Sequence, residues 1–91
     1  MLHLCIITWD PEKREEVFKR AQEIGFKHEG ARVIGTWIDI DGGRGFQLID
    51  VPDDIEPQLR LRASFAWNDI VRIETVRVME AEELVKLLSS M

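Results

Sequence analysis

Residues 32–51 read RVIGTWIDIDGGRGFQLIDV, and this stretch decides the fold. Arg32 to Asp41 is rich in Val, Ile, Thr and Trp, the side chains that fit a pleated, half-buried surface. Asp41-Gly42-Gly43-Arg44-Gly45 follows. Asp-Gly and Gly-Gly supply the positive φ angles that a hairpin loop needs. Phe46 to Val51 returns as the second strand of the hairpin, and Pro52 ends it.

Upstream of the hairpin, Leu2 to Trp9 is a short apolar strand. Asp10 is a good helix N-cap, Pro11 fits the first helical position, and Glu12 favours the positive end of the helix dipole. Val17, Phe18, Ala21 and Ile24 then recur at helical spacing, and Gly25 is the expected stop. Phe26 to Ala31 is a polar connection into the hairpin. Downstream, Asp53 or Asp54 can cap a second helix, and Pro57 in its first turn moves the start toward Glu56. Leu59, Ala63, Ala66 and Trp67 share one side of that helix, joined by Ile55 if it starts early. Leu61 and Phe65 fall on the far side, where they are either tolerated surface residues or contacts for the C-terminal helix or another subunit. Asn68-Asp69 closes the helix, Ile70 to Met79 is a fourth strand, and Ala81, Leu84, Val85 and Leu88 mark a short terminal amphipathic helix.

The order is therefore βαββαβ plus a helix, in one α+β domain over residues 1–91. The crossover rule favours a ferredoxin-like four-stranded antiparallel sheet, with the first and third strands central and two helices on one face. The strands do not alternate as a half-exposed sheet should. Leu2, Leu4 and Ile6 point one way, and Cys5, Ile7 and Trp9 the other. By simple alternation Ile34, Ile38 and Ile40 oppose Val33 and Trp37. Val71, Ile73 and Met79 oppose Ile70, Val76 and Val78. Two helices cover only one face, so the other face needs a second layer. A second copy of the chain is the more economical source; the short C-terminal helix is the rival.

Composition narrows the function classes. Ninety-one residues with 45% hydrophobic and 32% charged side chains describe an ordinary soluble globular domain. Twelve Lys plus Arg against seventeen Asp plus Glu give a net charge of -5, which argues against nucleic-acid binding, because phosphate neutralisation needs a basic face. No stretch is long and apolar enough to span a bilayer, and no signal peptide is visible, so the expected location is cytoplasmic. One cysteine forms no internal disulfide, and Cys5 in an apolar run reads as a small hydrophobe rather than a nucleophile.

From Gly35 to Glu80 the segments GTWIDIDGGRGFQLIDVPDD and AWNDIVRIETVRVME resemble the small stand-alone ferredoxin-like proteins of an uncharacterised prokaryotic family in the dimeric α/β-barrel group. The matching positions are Trp37, Phe46, Asp53-Asp54, Trp67-Asn68-Asp69 and Arg77-Val78; Arg77 stands where that pattern has proline. The resemblance implies the fold and a homodimer, and it implies no activity. Wider structural relatives include cofactor-free monooxygenases and small-molecule isomerases, an analogy of fold alone.

Four constellations have chemical readings. His3 in the first strand is a candidate general base, with Glu74 as its orienting carboxylate if the fourth strand pairs alongside; the alternative is a structural histidine near a sheet end. Trp37, one of three tryptophans, is a candidate ligand-binding residue for a flat apolar molecule, or a packing device. Arg72, Glu74 and Arg77 are solvated edge charges, or a polar pocket lining if they face inward with His3 and Asp50. Asp39 and Asp41 share a face but lack the remaining ligands of a calcium loop, and two distant histidines with one cysteine make no zinc set, so no metal or other cofactor is expected. The function that fits best is a non-catalytic structural, ligand-sensing or interaction module. The alternative is a cofactor-independent monooxygenase- or isomerase-like enzyme acting on a small aromatic or polyketide-like molecule. The two diverge on whether His3 faces a cavity with convergent polar groups or a filled core.

Overall fold

A computed structural model describes residues 1–91. Its strands are β1 (Leu2–Thr8), β2 (Arg32–Ile38), β3 (Arg44–Asp50) and β4 (Arg72–Val78). Its helices are α1 (Arg14–Ile24), α2 (Glu56–Trp67) and α3 (Ala81–Ser89). The strands form one antiparallel sheet in the order β2-β3-β1-β4, so β1 and β3 are central, as the element order predicts.

Local chemistry sets the element ends, with three departures from expectation besides α2, where neither Asp53 nor Asp54 caps and Ile55 takes the N-cap position. Asp10 is extended but its side chain makes no cap. A 3-10 turn over Pro11–Lys13 leads into α1 instead, and Asp10 accepts a hydrogen bond from Arg72 at 3.3 Å. The hairpin strands stop at Ile38 and resume at Arg44, where the Asp39 N–H closes the ladder on the Arg44 carbonyl at 2.9 Å and the Asp39 side chain turns into the loop. Its carboxylate accepts from the Asp41 N–H at 3.1 Å, and Gly42 takes φ 79°. Trp9 Nε1 donates to the Gly42 carbonyl at 2.8 Å and holds this loop over the end of the sheet. The third departure is a bulge between Val33 and Gly35. The extra residue reverses the alternation, so Val33 and Trp37 lie on opposite faces, and Ile38 shares the side of Val33.

The helix-covered face is buried unevenly. Trp9, Val17, Ile70 and Val71 form a core at one end, with Ile7 and Trp67 against it. Ile49, Val51 and Leu59 form another at the opposite end, with Val33 and Ile55. Each fully buried aliphatic or aromatic side chain contributes about 1.5–3 kcal/mol. Arg20 ties the helices near the first cluster. It donates to both Asp69 carboxylate oxygens, at 2.6 and 3.0 Å, and to the Ala66 carbonyl at 3.0 Å.

The other face has no cover. Leu4 and Leu48 pair across its centre, flanked by Val76 and Gly35; Ile6 and Phe46 pair in the next row, flanked by Glu74 and Trp37. The rival of a covering C-terminal helix is corrected here: every residue of α3 is exposed. The radius of gyration is 14.8 Å, against about 12 Å for a compact domain of this length. Leu61 and Phe65 on α2 are likewise exposed, at 55% and 78%, so neither meets α3.

Candidate functional site

Between the two core clusters the sheet and helices enclose an open cavity of about 740 Å³. Its floor follows from strand register. One row across the sheet runs Val33, Ile49, His3, Arg77; the next runs Thr36, Gln47, Cys5, Thr75; a third runs Ile38, Gly45, Ile7, Ile73. The middle row carries no charge and sets the polar side chains of Thr36, Gln47 and Thr75 beside Cys5. Its four residues, His3 and the third row all line the cavity, under walls that include Phe18 and Ala21 of α1 and Leu59, Ala63 and Trp67 of α2.

Gln47 organises the middle row. It is 5% exposed, so each of its polar atoms needs a partner. Its Nε2 donates to the Phe26 carbonyl at 2.9 Å and to Thr36 Oγ1 at 3.0 Å. A carbonyl only accepts, which fixes the amide orientation and leaves Oε1 facing His28 Nε2 at 2.7 Å. His28 therefore carries its proton on Nε2 and donates. This anchors the loop between α1 and β2 onto the floor. Cys5 sits beside Gln47, and burial pushes its thiol pKa up, opposed by a hydrogen bond with Thr75. A raised thiol pKa is the opposite of what a nucleophile needs.

His3 is 3% exposed. Its Nδ1 lies 3.2 Å from the Met1 carbonyl oxygen, which only accepts, so Nδ1 donates and Nε2 is the ring nitrogen left to accept. Nε2 has no protein partner, yet no fully buried side-chain nitrogen or oxygen lacks one. Nε2 therefore opens into the cavity that His3 lines. The only other charged or ionisable side chains on the lining besides Cys5 and His28 are Glu56 and Arg60, which neutralise each other with Arg60 Nε donating at 2.9 Å.

The structure does not bring the sequence candidates together. Glu74 pairs with Ile6 and so lies on the open face, whereas His3 faces the helices. The expected orienting role of Glu74 is corrected by strand parity: residues 3 and 6 of one strand point to opposite faces. Trp37 is also on the open face, 54% exposed, with its ring packed over Gly35. Arg72 and Arg77 do not line the cavity either; Arg72 pairs with Asp10, and Arg77 Nε lies 2.9 Å from Met1 Sδ. Asp50 shares the open face and is held by the Met1 amine at 3.1 Å. Sequence reasoning missed Gln47, His28, Thr36 and Thr75. One signal was present: Gln47 shares its parity with Ile49, and an uncharged polar residue on the buried side of a strand asks for partners.

Fold and site together define a small α+β domain with a largely apolar cavity between sheet and helices, crossed by an uncharged polar row. The chain belongs to the family described as Domain of unknown function (DUF3303), which matches residues 1–91. No curated protein and no solved structure matches it. No helix is long and apolar enough to cross a membrane.

Proposed function

We propose that the protein is a homodimeric, non-catalytic module that holds a small molecule in the cavity between sheet and helices. The cavity carries this reading. Its volume of about 740 Å³ falls within the ordinary range of small-molecule sites, and such sites combine apolar walls with a few placed polar groups. Catalysis asks for more than one positioned group. His3 does face a cavity, the outcome first tied to an enzyme, but with Glu74 on the far face it has only a backbone carbonyl behind it, which favours binding over turnover. The reading requires no metal or cofactor.

The homodimer is the second half of the proposal. The open face has an apolar centre of Leu4, Ile6, Phe46, Leu48 and Val76, with Arg32, Arg44, Arg72 and Asp50 around it. An apolar centre with a polar rim is the anatomy of a protein interface. A two-fold copy of the same face is the simplest closed partner. The acidic balance of the chain favours such a partner over nucleic acid, and the unpaired Cys5 accords with a cytoplasmic setting.

Titration calorimetry with naphthalene-sized aromatic probes tests the binding half. The expected result is saturable binding of one probe per chain, lost in Ala63→Phe, which fills the cavity from α2. Binding that survives Ala63→Phe contradicts the assignment of the cavity.

A further inference from the structure

The polar atoms of the cavity also define what its occupant carries. We propose that the ligand is an uncharged aromatic compound with one hydroxyl or N–H donor, and that this donor binds His3 Nε2. The inference rests on the cavity reading above and adds the ligand class and its specificity residue.

Gln47 spends its polar capacity within the protein. Both donors of Gln47 are used, and its oxygen accepts from His28. Cys5 and Thr75 are neighbours across β1 and β4. His3 differs. Nδ1 is committed to the Met1 carbonyl, and Nε2 is an unpartnered acceptor on a side chain only 3% exposed. Nε2 itself reaches the open cavity, where only water competes with a ligand for it. A ligand donor satisfies it, whereas an ether or a hydrocarbon does not. A site built to receive a hydrogen bond rejects the analogue that lacks the donor more strongly than an apolar pocket rejects a change of shape.

Charge and shape narrow the class further. The lining has no unpaired cation, since Arg60 is held by Glu56. A carboxylate or phosphate would enter without a counter-charge, which low-polarity surroundings penalise heavily. Trp9 and Phe18 meet edge to face with ring centroids 5.9 Å apart, and Trp67 joins the same end. Aromatic walls of this kind suit a flat ring system.

The test compares β-naphthol, its methyl ether and the corresponding naphthoate by calorimetry. The full chain should bind β-naphthol about tenfold more tightly than the ether, the ratio that one neutral hydrogen bond to a buried acceptor supports, and the naphthoate more weakly than either. In His3→Leu the two neutral probes should bind equally. His3→Gln, whose amide oxygen can accept, should keep part of the preference and serves as the variant if His3→Leu does not fold, as judged by its amide spectrum. Equal affinities in the unaltered chain, or a preference unchanged in the His3 variants, overturn the assignment of His3 while leaving the cavity in place. Absence of binding by all three probes overturns the cavity reading itself.

Discussion

Both faces of the sheet are apolar, and they differ in where their polar residues sit. The covered face carries His3, Cys5, Gln47, Thr36 and Thr75 beneath its helices, while the uncovered face carries Leu4, Ile6, Phe46, Leu48 and Trp37. A sheet with one layer of helices normally places its apolar side inward and its polar side in water. Here a row of uncharged polar residues runs between two apolar clusters on the covered side, and the uncovered side keeps an apolar centre with charged residues, Glu74 and Asp50 among them, at its margin. The difference teaches that a face is composed for its occupant. A small molecule and a second protein ask for different surfaces, and this chain offers one of each.

Breaking the open face should have the largest effect. Leu48→Asp places a carboxylate at its centre, opposite Leu4. Two-fold symmetry counts each change twice, so the dimer loses roughly 3–6 kcal/mol from lost apolar burial, at least a hundredfold in dissociation constant. Sedimentation equilibrium should give twice 10.6 kDa for the unaltered chain and the single-chain mass for the variant. A variant that keeps the mass of the unaltered chain argues against this face as the interface.

Breaking the covered face should destabilise the fold rather than the assembly. Gln47→Leu leaves Phe26, Thr36 and His28 without their partner. One unsatisfied buried polar group costs about 1–3 kcal/mol, and each kcal/mol lowers the melting temperature of a domain this size by roughly 4–8 °C. A thermal melt should therefore fall by several degrees, with the sedimentation mass unchanged. An unshifted melt contradicts the organising role given to Gln47.

The smallest effect lies on the helices that roof the cavity. The Arg20 guanidinium holds the Asp69 carboxyl below its ordinary 3.8, chiefly by hydrogen bonding. A depressed carboxyl pKa stabilises the folded state above the unfolded value, and that contribution fades as pH falls through the lower folded value. Asp69→Asn should cost a little melting temperature at pH 7, less than Gln47→Leu. The difference between the two chains should close as pH drops below about 4. A gap that stays constant from neutral to acidic pH contradicts the ion-pair account.

The contrast between the faces was half legible in the sequence. Both faces are apolar enough for the missing layer to be read from Leu2, Leu4 and Ile6 against Cys5, Ile7 and Trp9. The hairpin announced itself through Asp41-Gly42, and the helix stop through Gly25, because positive φ angles ask for glycine. The bulge between Val33 and Gly35 was not legible. One extra residue leaves composition unchanged yet sends Trp37 to the opposite face from Val33. The site was hidden for a related reason. Gln47, Cys5, Thr36 and Thr75 come from four strands and become one row only through register, which no local pattern encodes. Pairing His3 with Glu74 failed on the same ground.

One occupant for each face can be tested with the three indole N–H signals of the unaltered chain in a single proton–nitrogen spectrum series. Trp9 and Trp67 line the cavity, and Trp37 lies on the open face. Adding β-naphthol should shift the Trp9 and Trp67 signals and leave Trp37 in place. Diluting the protein through the dimer dissociation range should shift Trp37 and leave the other two. A probe that moves Trp37, or a dilution that moves Trp9 and Trp67 instead, would contradict the account.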